Sequence, residues 1–354
     1  MGTFWRVLPG LLLSCVVPST ATADDPALQI SVRGREYTGR VVASNSSRVW
    51  FQGRDGRLEQ FPVDWVSDYR ELGASFRPAS AAETKSALTR EFGDRYRVAW
   101  SGPYVVAGRA GMAERYATIF DELYRDFRLY FSTRGFKLGE PEFPLAAICF
   151  ATREEFLEYC REEQVRLAGP VVGVYLSASN RVALYEQPVA SDIDATVIHE
   201  ATHQLAFNLG VHSRIGVSPR WVVEGLAEVF ENASFRRRQQ GDRTRDRANL
   251  SRLRHFSVTY LPKRPDNALE ELVRSDAPFR ASPLDAYSEA WALSFFLAET
   301  RAARYSEYLR RIAARDPTAD YSGEDRLKDF RAVFSTPTGV LDAEFRRFID
   351  QLGR

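Results

Sequence analysis

Two histidines four residues apart, with a glutamate beside the first, are the residues of this chain best spaced to do chemistry: His199, Glu200 and His203 in the run HEATH. Side chains at i and i+4 leave a helix on one face, so both imidazoles can reach a single metal ion. Glu200 follows His199 by one residue, about 100° round the helix. It therefore stands beside the ion rather than on it, placed to take a proton from a water that the ion activates. After twenty intervening residues His203 is followed by Glu224, in the run WVVEGLAE from Trp221 to Glu228. Three protein ligands with a fourth position left to solvent is the catalytic zinc pattern, whereas structural sites are closed by four. The expected cofactor is one Zn2+ ion, with His199, His203 and Glu224 as ligands and Glu200 as general base.

The elements needed to hold these groups are legible around them. A helix is predicted from a cap at Ser191–Asp194 to a stop at Gly210, with Ile193, Val197, Ile198, Ala201, Leu205 and Leu209 at helical spacing. A second is predicted from Ser218 as cap and Pro219 as first helical residue, through Trp221, Val222, Leu226, Val229 and Phe230. Two glycines between Leu209 and Val217 let the chain turn back, so the helices run antiparallel and bring Glu224 to the histidine pair.

This combination resembles the gluzincin metallopeptidases, in particular their peptidase MA-like branch. The chain is most similar to an uncharacterised group of secreted bacterial gluzincin-like proteins. Val197 to Asn232 carries most of the likeness, with a looser similarity in element order from about Ala81 onward. The resemblance implies a peptidase fold, zinc, a peptide or protein substrate and two further roles. Glu228, one turn after the third ligand, would hydrogen-bond the first histidine and set its tautomer. Tyr287, opening a later helix, would donate a hydrogen bond to the carbonyl oxygen as charge develops there. Its alternative is packing against Trp291, and Tyr260 is the reserve. His203-Gln204 and Asn208 are also similar to aminopeptidase-like members.

Other chemistries fit poorly. A metzincin would need glycine and histidine where this chain has Ala206 and Leu209. His212 reads as a loop residue lining the cleft and His255 as a surface or packing residue. No GxSxG elbow supports a serine nucleophile.

The amino terminus reads as a secretory signal. Arg6 precedes an apolar run from Val7 to Val17, and the Ala21–Ala23 site precedes Asp24. Cleavage after Ala23 explains the region better than a lipoprotein box ending at Cys15. No later run is long and apolar enough to span a membrane. Of the remaining cysteines, Cys149 lies in an expected core strand and Cys160 at the end of the helix after it. Two buried thiols are expected rather than a bridge.

The expected fold class is α+β: a small SH3-like β-barrel at 27–72, an α+β subdomain at 81–190, and the zinc-binding helices with a helical C-terminal subdomain at 191–354. Alternating runs with turn signals mark the barrel, with Trp50 and Trp65 in its core. In the second region strands at Tyr96–Trp100, Tyr104–Ala107 and Pro144–Phe150 are interleaved with an aromatic-striped helix from Tyr116 and a helix capped at Thr152. A hairpin at Val172–Tyr185 follows. It either lends an edge to an extended peptide or is purely internal. Helical spacing dominates after Asn232. Lys plus Arg (48) nearly equals Asp plus Glu (47), so no global field selects a nucleic acid. The eight arginines and two aspartates of Arg236–Arg254 read as a solvated cleft-side loop favouring anionic substrates. The expected function is an exported zinc metallopeptidase. The alternative is a non-catalytic cell-envelope scaffold that keeps the metal-site fold.

Overall fold

The computed structural model describes residues 25–167, 171–186, 190–237 and 243–353. The expected signal segment with Cys15 lies outside them, as do Arg238 and Asp242 of the basic run. Strands β1 (Pro26–Val32), β2 (Arg35–Ser44), β3 (Arg48–Gly53), β4 (Leu58–Pro62) and β5 (Val66–Ser75) form an antiparallel sheet in the order β4-β3-β2-β1-β5. Among the described residues β4 and β5 do not pair, so an open sheet replaces the expected closed barrel. The reason is a small core: Ile30, Val32, Phe51 and Phe61 are its buried apolar cluster, and β5 is exposed almost throughout. Trp50 is buried as expected, and Trp65 lies beneath the Arg33 guanidinium, 3.3 Å from its ring centre.

Helix α1 (Ala81–Phe92) follows, opened by a capping box between Ser80 and Glu83. The second sheet is mixed, in the order β6-β7-β8-β10-β9, from β6 (Arg97–Ser101), β7 (Tyr104–Gly108), β8 (Leu145–Phe150), β9 (Gly173–Leu176) and β10 (Arg181–Tyr185). β7, β8 and β10 are parallel and carry near-continuous apolar runs because helices cover both of their faces. One face, including Val106, Ala147, Cys149 and Leu184, packs on α2 (Met112–Ser132) and α4 (Ala190–Asn208). The other, including Val105, Ile148, Phe150 and Ala183, packs with α1 and α3 (Arg153–Glu162). Cys149 and Cys160 thus belong to cores on opposite faces of one sheet, and both are free and buried.

Beyond α4 the chain is helical: α5 (Arg220–Phe230), α6 (Ala233–Arg236), α7 (Leu250–Arg254) continued by a π-helical turn at His255–Tyr260, α8 (Ala268–Arg274), α9 (Ala277–Ala281), α10 (Pro283–Thr300), α11 (Ala302–Ala313), α12 (Gly323–Phe334) and α13 (Thr338–Gly353). α10 is buried along most of its length and α5 crosses it. The crossing requires Gly225, since a β-carbon there would lie 2.2 Å from Ser294 Oγ and 2.5 Å from the Ala290 carbonyl oxygen. No described helix is long and apolar enough to cross a membrane.

Candidate metal centre

Helix α4 starts at Ala190, so Ser191, the expected cap, falls inside the helix, and the acidic residues after it lie near its start as expected. Its stop is as expected: Gly210 has φ +82°, and the Val211 and His212 N–H groups both donate to the Ala206 carbonyl. Gln204 ties the helix to the sheet by donating to the Ala146 and Asn180 carbonyls, and Asn208 bonds Asn180, so both act as braces. The expected cap of α5 is not made. Ser218 Oγ is buried without a partner, and Asp276 from the turn before α9 accepts the Arg220 N–H instead.

Packing of α5 against α4 brings the expected donors together. The Nε2 atoms of His199 and His203 are 3.1 Å apart, and Glu224 Oε2 is 3.5 Å from each. A tetrahedral zinc with bonds of about 2.0–2.1 Å separates its donors by roughly 3.3–3.4 Å, so the three atoms fit one ion. All three side chains are largely buried, and Glu224 stays charged there. Burial opposes its ionisation, but the two histidines outweigh that and hold its pKa far below the usual carboxylate range. Burial likewise works against a charged His199, yet Glu224 and Glu231 raise its pKa well above the ordinary value. His199, His203 and Glu224 thus form a group that could hold a metal ion.

The carboxylate on the first histidine is not the expected one. Glu231 Oε1 lies 2.9 Å from His199 Nδ1, while its other oxygen accepts from Asn249 Nδ2 at 3.0 Å. Glu228 is buried and gripped by Arg252 through two bonds of 2.6 Å. Burial and Glu231 push the Glu228 pKa up, with Arg252 pulling the other way. Arg252 therefore takes the carboxylate one turn after Glu224, which leaves the next one along to orient the imidazole.

Glu200 lies outside the donor set. Its Oε2 accepts from the Tyr175 backbone N–H at 2.7 Å. β9 is the edge of its sheet, and the Tyr175 peptide faces away from β10, toward the site. Gly173 makes the approach possible: a β-carbon there would sit 3.0 Å from Thr196 and 3.3 Å from Glu200 Cγ. The hairpin is thus an edge element of the site.

Tyr287 enters from α10. Its hydroxyl accepts from Arg220 Nη2 at 3.0 Å, and its ring packs edge-on against Phe279, while Trp291 stacks on Phe295. Burial and Glu224 push the phenol pKa up, with Arg220 opposing, so it is protonated at neutral pH. Tyr260 is committed elsewhere, donating to Glu289 at 2.8 Å within a buried group that includes Arg264 and Asp342. His255 packs as a partner of Asp285 at 2.8 Å. His212 does not line a cleft: it is 2 % exposed, lies edge-on to Phe207, and neither ring nitrogen has a hydrogen-bond partner.

The basic run is largely spent within the protein. Arg236 and Arg237 reach Asp126, Arg243 pairs with Asp246, Arg247 is buried on Glu299, and Arg252 holds Glu228. It braces the helices where a solvated loop is expected.

A family model described as "Protein of unknown function (DUF1570)" matches residues 193–319, the span that holds His199, Glu200, His203, Glu224 and Tyr287. A search of curated proteins found no match.

Proposed function

We propose that this chain is an exported, zinc-dependent metallopeptidase of the gluzincin type. The observation that carries the reading is the spacing of the three donors for one ion, with Glu200 beside them and outside the set. Zinc held by His199, His203 and Glu224 would supply Lewis acidity toward a water and toward a carbonyl oxygen. Glu200 accepts the proton of the attacking water and passes it to the leaving amine, the work of a general base turned general acid. Its bond to the Tyr175 N–H fixes where it waits. β9 is a sheet edge beside Glu200, and with the Tyr175 N–H held by Glu200 it is the outward-facing Gly173 peptide that gives a short extended substrate segment a place to pair. Tyr287 offers its proton to the oxygen that becomes negative, because Arg220 occupies its acceptor side. Export rests on the signal-like segment at 1–23, and the substrate class is peptide or protein.

The test is zinc analysis with casein or peptide-library cleavage, by wild type and by Glu200→Gln. One zinc per chain in both proteins, with cleavage by wild type alone, is the expected result. Zinc retained without cleavage by wild type would make the chain a non-catalytic envelope scaffold. Equal cleavage by both would remove Glu200 from the mechanism.

A further inference from the structure

We propose that Arg220 is the positioning residue of this centre: one guanidinium holds the outer oxygen of Glu224 and the phenol oxygen of Tyr287, so that Glu224 presents a single oxygen to the histidines and Tyr287 turns its proton into the open side of the site. The catalytic half of this inference rests on the peptidase reading, and the Glu224 half rests on the metal site alone.

The two oxygens of Glu224 are already divided. Oε2 is the atom 3.5 Å from both histidine nitrogens, and Oε1 is the atom 3.4 Å from Arg220 Nε. A carboxylate free at both oxygens can swing to chelate an ion through the pair of them. One whose outer oxygen is held by a cation keeps to a single contact. On the other side, Arg220 Nη2 lies 3.0 Å from Tyr287 Oη. Arginine carries donors only, so the phenol oxygen accepts and its hydrogen must point elsewhere. The guanidinium lies against the Phe279 ring, 4.9 Å from its centre, and the backbone from which it springs is anchored: the Arg220 main-chain N–H is bound by Asp276, which Arg326 holds in turn at 2.8 Å. Arg220 opens α5 four residues before Glu224, and an ordinary i,i+4 pair of this kind contributes little. What sets it apart is that a planar fork reaches two groups of the site at once, which a lysine ammonium does not reproduce.

The experiment uses the full chain with cobalt(II) in place of zinc, since the strength of cobalt's visible absorption reports coordination number. Arg220→Ala should weaken and shift that band as Glu224 turns to bind through both oxygens. With zinc, its kcat should fall about tenfold or more while KM stays within roughly twofold. Tyr287→Phe should keep the wild-type cobalt spectrum, and in its background Arg220→Ala should cost less kcat than it does alone. Arg220→Lys should recover the spectrum or kcat, not both. Arg220→Gln, checked by circular dichroism, stands in if the alanine variant misfolds. A wild-type spectrum together with wild-type kcat in Arg220→Ala overturns the inference, and so do strictly additive kcat losses. Should wild type cleave no peptide, the peptidase reading has failed. The cobalt band then decides the Glu224 half, a changed band supporting it and an unchanged one overturning it.

Discussion

Gly225→Ala sets two effects of known size against each other beside Glu224, the proposed third metal ligand. Alanine is the better helix former by about 1 kcal/mol, so propensity alone predicts a more stable protein. The structure predicts the reverse. The new β-carbon would meet Ser294 Oγ at 2.2 Å and the Ala290 carbonyl oxygen at 2.5 Å, where ordinary contact begins at 3.4 Å. The serine hydroxyl can rotate away, but the carbonyl is built into α10. Restoring contact with it means parting α5 from α10 by roughly 0.9 Å, and overpacking of this kind costs about 1–3 kcal/mol. A backbone clash belongs at the upper end, so a net loss of roughly 2 kcal/mol is expected once propensity is credited. Glu224 is the preceding residue and must move with the helix, whereas ligand distances tolerate only about 0.2 Å. Zinc affinity should therefore fall about tenfold or more, roughly 1.4 kcal/mol. Urea unfolding of the zinc-free protein and chelator competition measure the two losses separately. Adding Ser294→Ala should relieve little, because it leaves the carbonyl in place. A Gly225→Ala protein as stable and as zinc-tight as wild type would refute the argument.

Glu231→Gln should weaken zinc binding about 10- to 100-fold, as loss of an outer carboxylate does, and Glu228→Gln should do less to affinity. Chelator competition on both variants checks this, and the reverse order would return the role to Glu228. Tyr287→Phe should lower kcat by about a hundredfold with zinc content unchanged, read from steady-state kinetics and metal analysis. Wild-type kcat would make Tyr287 a packing residue. For His212, burial, with the His203 charge acting the same way, lowers the pKa to about 3. Below about pH 6.5 the unfolded chain binds a proton that the folded chain refuses. Stability should thus decline as pH falls from about 6.5 toward 3, by at most roughly 1.4 kcal/mol per pH unit. Denaturation midpoints of the metal-free protein at neutral and mildly acid pH should show this slope in wild type and lose it in His212→Phe. Equal slopes would point to another group.

The candidate site residues were legible because the proposed chemistry resides in spacing along single helices. His199, His203 and Glu224 meet as expected once two packed helices are granted, and Glu200 stands beside them for the same reason. What spacing does not carry is the choice between like residues made by distant partners. Glu228 and Glu231 both follow Glu224 near one face of α5, and Arg252, 24 residues beyond Glu228, decides which of them is left for His199. The α5 cap was misplaced in the same way, since Asp276 is 56 residues from the N–H it accepts. Helix α1 carried a readable signal in Ser80 and Glu83 that an alanine- and serine-rich composition masked. Closure of the N-terminal sheet depends on whether a contiguous cluster as small as Ile30, Val32, Phe51 and Phe61 suffices to wrap it, which alternation along strands does not measure.

β9 also bears on how this protein avoids its own kind. An uncovered sheet edge beside a reactive site is a template on which any extended chain, including another copy of this one, can add a strand. Here the edge strand is four residues long with no residue fully exposed, and the Tyr175 N–H on it is occupied by Glu200. Just past its end the N-terminal sheet closes the way. The Leu58 N–H bonds the Ala178 carbonyl, and Arg214 clamps Ser177 to Gly56. A strand seeking to polymerise along β9 finds too short a track and must break a charged hydrogen bond to use it. The contact that poises Glu200 is thereby also a guard against aggregation.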